Sequence, residues 1–457
     1  MLKEWFSSQK KTGRISEETG KYTSQAIEKY DAIIVGAGPS GCCSAYFMAQ
    51  SGLKVLLLER GPYPGAKTCG GSSLISEHVH KLFPNFWDEL VWERLITSQA
   101  YWLMSESSST QMKFSSQLLG AAPFNRFSVR RVNLYSWLAE KAKSAGVTLH
   151  FSHCVAEVLK EGNKSVGVRI APPQDSIYLA DMIVLAEGAN ALLAEQGGFS
   201  AKVSPYDLAL YGKETIALPP PVIEERFNLT KGQGTIIGFI GYPTNGFNGT
   251  ASLHTFKASI NINVGMSAAD FAKSGFSPHE LIERIKKHPD ISPLLKNGIV
   301  TEYGAGVLPE GGYQAIPQLV HPGLMIVGDA ASIVNGVQGF SLAMWSGYFA
   351  AQAAHQAKLH RDFSQKRLAL YTTLMKESFV LQDLKANAPQ AGWLKNSPYL
   401  FDLYSRIANN AAYHIVKVYT MPKREKRRFI FKKITSMQPP GKMLRDAWKF
   451  LKVVRSS

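Results

Sequence analysis

The chain has 457 residues, 45% of them hydrophobic and 19% charged, with a formal net charge of +16. That length has room for two or three structural units and a large core, and the composition is that of a globular protein rather than a disordered one. No run approaches the ~20 consecutive apolar residues of a membrane-spanning helix, and the start Met1-Leu2-Lys3-Glu4-Trp5-Phe6 carries charge where a secretory signal would be apolar, so a cytoplasmic location is expected.

Residues 1–29 are polar and read as a loosely attached arm. The stretch Tyr30-Asp31-Ala32-Ile33-Ile34-Val35-Gly36-Ala37-Gly38-Pro39-Ser40-Gly41 then gives a buried strand running through a glycine turn into a helix. Leu56-Leu57-Leu58-Glu59 follows as a second strand ending in an acid. This is the pattern of a dinucleotide site: Gly36 permits the tight turn, Gly38 lets the backbone approach a pyrophosphate, and Gly41 lets the helix pack on the strand. Pro39 and Ser40 open the helix whose amides would face the phosphates. The Glu59 carboxylate is placed for the ribose hydroxyls, with Arg60 beside it. Cys42 and Cys43 fall on that helix as packing residues. They and Cys69 and Cys154 show no C-x-x-C spacing, so no metal or iron–sulfur site is expected on this chain.

Further along, Pro64 to Gly71 is too rich in Gly and Pro for regular structure. Residues from Ser72 to Phe124 are irregular and aromatic, Ser128 to Ala139 reads as a helix, and Val147 to Phe151 as a strand. Met182-Ile183-Val184-Leu185-Ala186-Glu187-Gly188 is a strand ending in a turn, and the region from Lys202 to Gly265 is rich in β-formers. The strand-then-turn pattern returns at Leu324-Met325-Ile326-Val327-Gly328-Asp329-Ala330-Ala331, before a long helix of small residues. Asp329 can accept from the polyol of a flavin, and the helix beginning near Gly339, Phe340 and Ser341 can aim its amides at the flavin ring. Two such motifs in this order point to FAD. The expected fold is α/β: a discontinuous dinucleotide-binding domain (30–75, 125–200 and 300–360) with an inserted, mostly antiparallel substrate domain (76–124 and 201–299), then a helical, basic C-terminal region (361–457).

From Met421 onward there are twelve Lys or Arg against Glu425 and Asp446. Leu444, Ala447, Trp448, Leu451 and Val454 recur at helical spacing, with Arg445, Lys449, Lys452 and Arg455 on the flanks. Such a helix suits an anionic membrane surface, or else docks on its own domain with a solvated basic face. Nucleic acid is not expected, since basic charge comes here without aromatic platforms or a recognised binding module.

In this order the glycine turn, Glu59-Arg60, the Pro64–Gly71 loop, Arg131, Ala186-Glu187-Gly188-Ala189-Asn190 and Gly328-Asp329-Ala330-Ala331 resemble an FAD-dependent superfamily. It contains geranylgeranyl reductases and electron-transfer-flavoprotein dehydrogenases, whose Rossmann-like domain is of the glutathione-reductase and p-hydroxybenzoate-hydroxylase type. Leu308–Tyr313, Leu342–Gly347 and Ser378–Leu384 are similar to the FixC branch, relatives of electron-transfer flavoprotein–quinone oxidoreductases.

The resemblance implies FAD. Gly36, Gly38, Gly41 and Glu59 would hold the adenosine pyrophosphate, Arg131 the phosphates, Val155 the adenine, and Asp329 the ribityl-phosphate region. Gly70 and Gly71 would approach the ring, with Cys69 beside them as an acid or a small wall residue. His254, where relatives carry Tyr, and Glu187, where they carry Asp, are departures near the flavin.

One implied function is electron transfer at a membrane surface, between a protein donor such as an electron-transfer flavoprotein and a quinone or ferredoxin-like acceptor. The run Thr235–Gly241 would line a quinone or lipid entrance, or serve as a central strand. A second is reduction of a carbon–carbon double bond in an isoprenoid substrate, with Cys69 as acid. A third is a low-turnover flavoprotein subunit. A hydroxylase or halogenase fits less well, because the Trp-rich signature of halogenases is missing and Glu187 departs from the Asp-Gly motif of hydroxylases.

Overall fold

The computed structural model describes residues 29–335, 338–395, 397 and 399–456. The expected arm lies almost wholly outside the described residues. Two sheets organise the rest.

The first sheet has a parallel centre. The Lys29–Val35 strand sits between Val55–Leu58 and Ile177–Leu185, with Leu324–Ile326 beyond the latter and Thr148–His150 beyond the former. Its strands are buried on both faces, with Ile33, Ile34, Leu56, Met182, Ile183 and Met325 all fully inside, which is why they read as unbroken apolar runs. One face is covered by the Pro39–Gln50 helix, against which the Gly339–Leu359 helix packs. Cys42 and Cys43 are buried in that layer. A hairpin, Val155–Glu161 and Lys164–Ile170, extends the sheet antiparallel.

The second sheet has nine strands and is antiparallel except where Gln233–Gly241 runs parallel to Arg94–Met104. Thr235–Gly241 is therefore an interior strand, paired with Gly249–Thr255 on its other side. The sheet takes in more chain than the sequence division allots it. Gly71–Ile75 and Arg126–Arg130 pair with each other and join it, and so does Ile299–Pro309.

The helix expected from Ser128 accordingly begins at Arg131. In the strand before it Phe127 and Val129 are buried while Arg126 and Arg130 are partly exposed. The apolar outer face of the sheet carries Leu253, Ile260, Ile262 and Val264 under the Pro278–Lys286 helix, whose start is fixed by a Ser277/Glu280 capping box. The C-terminal region is helical, in Tyr399–Val416, Lys423–Met437 and Pro440–Ser456.

Candidate functional site: a cleft between two sheets

At the carboxyl ends of the parallel strands lies a cleft of about 730 Å³, running from the glycine turn to the second sheet. Gly36 has φ +105°, and a Cβ there would stand 2.4 Å from the Ala186 carbonyl oxygen. A Cβ on Gly41 would meet the Gly36 carbonyl oxygen at 1.9 Å, so strand, turn and helix close on one another only with glycine. Gly38 differs: nothing lies within 4 Å of its Cβ position, and the open space there faces the cleft. A phosphate fits where a side chain is missing.

The carboxylate of Glu59 is locked in the wall. It accepts hydrogen bonds from the Ala37 N–H at 2.9 Å and the Gly61 N–H at 2.7 Å, and its remaining lone pairs are left for hydroxyls. Glu187 also lines the cleft, but both its oxygens accept from the Leu193 and Ala194 N–H groups at 2.8 and 2.9 Å. It caps its own short helix, a use the turn pattern does not reveal. Arg60, Val155 and Gly188 complete this end of the wall, with Pro39 and Ser40 at the helix start.

At the other end Asp329 sits in the Gly328–Ala331 turn, which is held by the Ser346 hydroxyl accepting from the Gly328 N–H at 2.9 Å. Burial pushes the Asp329 carboxyl up to about 6, against the pull of the Arg131 guanidinium. Arg131 donates through Nη1 to the Tyr211 hydroxyl at 3.0 Å, and its Nε is shut from solvent without a partner. That orphaned donor on a cleft wall suits an anionic group, and together with the Gly38 opening it makes the residues present a fit for a flavin dinucleotide. Gly339 and Phe340 line the cleft, whereas Ser341 is buried behind them. Gly41 and Gly328 shape the turns without lining the cleft.

Cys69, Gly70 and Gly71 stand just behind the wall that Thr68, Ser72 and Ser73 provide. The Gly71 peptide is clamped from the second sheet, its N–H donating to Asn261 Oδ1 at 2.8 Å and its carbonyl accepting from Lys213 Nζ at 2.5 Å. The Gly70 carbonyl accepts from the Arg131 N–H at 3.2 Å. The Cys69 thiol packs against Gly304 and is pushed up to about 11, mainly by burial. His254 lies on the cleft-facing side of the second sheet, outside the cleft wall, and burial drives its imidazole down to about 3 with Lys213 and Arg126 adding to the shift.

Sequence reasoning missed Tyr211, Lys213 and Asn261, whose strands carry no motif. Tyr135, within the helix that begins at Arg131, also lines the cleft, its phenol pushed up to about 12 chiefly by burial. Among the described residues one trio, Glu214, His279 and Glu283, has the spacing of metal ligands. The Lys286 ammonium already holds both of its carboxylates, at 2.7 and 2.6 Å.

Comparison with known proteins gives this geometry a lineage. Residues 31–204 match the FAD dependent oxidoreductase family, and residues 391–455 match the ETF-QO/FixC family C-terminal domain. Protein FixC of Azorhizobium caulinodans is 36% identical across 94% of this chain and 99% of its own length. The chain belongs to the FixC family. It is an FAD-dependent oxidoreductase.

Another relative of this FixC-family chain, the probable electron transfer flavoprotein-quinone oxidoreductase YdiS of Escherichia coli, is 35% identical over 84% of the chain and 89% of its own length. Among solved structures, a geranylgeranyl bacteriochlorophyll reductase-like protein from Thermoplasma acidophilum shares the fold. It has a TM-score of 0.68 and 22% identity, and the match covers 92% of this chain and 99% of that one.

Proposed function

We propose that this FixC-family oxidoreductase passes electrons from a protein donor, of the electron-transfer-flavoprotein kind, to a quinone or a ferredoxin-like acceptor at an anionic membrane surface. The observation that carries the reading is the placement of the tail. Leu444, Trp448 and Leu451 stand 72%, 66% and 50% exposed on the Pro440–Ser456 helix, among Lys442, Arg445 and Lys449. The neighbouring Tyr399–Val416 helix is seated on the Gln233–Gly241 and Arg94–Met104 strands of the second sheet. Asp446 ties the two helices together by accepting from the Tyr404 hydroxyl at 2.9 Å. An apolar, cation-ringed face thus adjoins the sheet that closes the cleft, which suits an acceptor that arrives through lipid. Among the described residues no helix is long and apolar enough to cross a membrane.

When bound, FAD supplies reversible two-electron storage. The Gly36–Gly41 turn and Glu59 would hold its adenosine half, with Asp329 and Arg131 at the flavin half. The clamped Gly71 peptide keeps the adjoining loop from drifting, and the second sheet shields that end from water. A second reading, reduction of a carbon–carbon double bond, draws on Cys69, whose thiol is held protonated at neutral pH beside the cleft wall.

One experiment separates the two. Purified holoenzyme is photoreduced without oxygen and mixed with a short-chain benzoquinone, with a prenyl lipid, or with buffer. Reoxidation by the benzoquinone well ahead of the buffer control is expected. Reoxidation by the prenyl lipid alone would replace the first reading with the second.

A further inference from the structure

The turn that joins the Tyr399–Val416 helix to the Lys423–Met437 helix carries apolar side chains on its outside. Ile415, Val416 and Val418 are 62%, 79% and 90% exposed, and Tyr413 beside them is 54% exposed. Single exposed apolar residues are ordinary, but four within six consecutive residues form a patch that calls for a partner. Across residues 413–433 eight Lys or Arg stand against Glu425 alone, so the partner that suits this patch is anionic.

The same turn keeps its polar groups to itself. The last carbonyls of a helix have no partner within it, and on an ordinary surface they are left to water. Here the Lys426 ammonium reaches back from the next helix and donates to the Ile415 and Lys417 carbonyls at 2.7 and 2.8 Å. The Lys417 N–H donates to the Tyr413 carbonyl, and the Lys417 ammonium to the Tyr413 hydroxyl at 2.9 Å. His414 is buried, hydrogen-bonded through Nδ1 to the Tyr419 hydroxyl, with its ring 5.1 Å from that of Phe429. A turn built in this way can enter hydrocarbon without stranding those carbonyls, which a bilayer interior penalises heavily.

We propose that residues 413–419 form a wedge that enters the acyl-chain edge of an anionic bilayer, an inference that rests on the membrane-surface reading above. Ile415, Val416 and Val418 go into the hydrocarbon. Tyr413 and Tyr419 take the headgroup boundary, where amphipathic rings settle. Lys417, Lys423 and Arg424 serve the lipid phosphates, the long stems letting the charges stay at the surface. Lipid is favoured over a protein partner because a protein interface offers donors to helix-end carbonyls, and the Lys426 cap would then be superfluous.

The test sediments the full-length holoenzyme with phosphatidylglycerol or phosphatidylcholine vesicles. A Val416→Asp, Val418→Asp double variant is expected to bind phosphatidylglycerol vesicles at least about tenfold more weakly, with FAD content unchanged. Lys426→Met and Lys423→Met remove the same charge, but only the first uncaps two carbonyls, so it is expected to weaken binding severalfold more. A nitrobenzoxadiazole label on Val418→Cys, in a Cys154→Ser background, reads depth and carries the test should the double variant fail to fold. Its emission is expected to shift to the blue with phosphatidylglycerol vesicles and to be quenched by nitroxides on the acyl chains. Equal losses in the two lysine variants, or a label that stays in water while the protein still sediments, overturn the wedge and leave the membrane reading standing. A label that responds to a purified electron-transfer flavoprotein and not to vesicles overturns it too, and makes the turn a protein interface. Failure of the wild type to sediment with either vesicle overturns both readings.

Discussion

Three glycines of one turn do three different jobs, and single substitutions separate them. Gly36→Ala would press a methyl against the Ala186 carbonyl at a left-handed φ, so the fold is expected to lose roughly 2–4 kcal/mol and no flavin to co-purify. Gly38→Ala meets no protein atom within 4 Å. It should melt like the wild type yet bind FAD at least about tenfold more weakly, because only the ligand contests that space. Equal FAD affinity in Gly38→Ala would mean that the pyrophosphate lies elsewhere. Gly36 and Gly41 were legible because a turn that tight admits no other residue there, and Gly38 because a bound pyrophosphate would need the space it leaves open. Asp329 was legible only as a position; its protonation depends on burial that no motif encodes. In the FAD-free protein its carboxyl sits at about 6, against ~3.9 in an unfolded chain. The folded state therefore holds the proton more tightly between those values, and this contribution to stability, full below the unfolded value, is lost as pH rises through 6. Between about pH 4 and pH 7 the FAD-free wild type should lose on the order of 1–2 kcal/mol relative to Asp329→Asn, as read from melting scans at the two pH values. Equal losses in the two proteins would mean that the carboxyl titrates normally.

Between elements, the chemistry depends on contacts that no local pattern announces. The parallel strands of the first sheet were readable because burial on both faces writes continuous apolar runs such as Ala32–Val35. Gly71–Ile75 and Arg126–Arg130 fell within the ranges given to the dinucleotide-binding domain and were not read as strands of the second sheet, because strands this short, flanked by a glycine-rich loop and a helix, carry no sign of their partners. The same blindness hid Lys213 and Asn261, which reach the loop across 142 and 190 residues of chain. Their hold on Gly71 has a direct readout. Asn261→Ala removes the acceptor of a buried N–H, for which a loss of about 1–3 kcal/mol is expected. The Gly71 amide should then exchange with deuterium at least about tenfold faster, while amides of the Lys29–Val35 strand stay protected. Unchanged exchange at Gly71 would show that Lys213 and the Arg131 contact fix the loop by themselves.

For the whole molecule, the basic helical tail adjoins the second sheet, and the second sheet supplies one wall of the cleft. The fold class and the cofactor were legible from two motifs 292 residues apart, because any chain that holds both halves of one dinucleotide must bring those strand ends together. The use of the tail was not, since an amphipathic helix can cover its own domain as readily as a bilayer. The structure leaves Leu444, Trp448, Phe450 and Leu451 49–72% exposed, with Phe431 63% exposed on the helix before. Each Lys or Arg near an anionic leaflet is worth about 1 kcal/mol, and apolar side chains add their own burial. The protein should therefore sediment with phosphatidylglycerol vesicles at low salt, much less with phosphatidylcholine vesicles, and progressively less as salt screens the charges. A Trp448→Glu, Leu451→Glu double variant places two carboxylates where the bilayer would be. It should weaken sedimentation at least about tenfold, while its FAD content and its reoxidation by a water-soluble benzoquinone stay at wild-type levels, because neither residue lies in the cleft. Sedimentation that ignores lipid charge would instead make the tail a docking face for another protein, and the acceptor would then have to reach the second sheet from water.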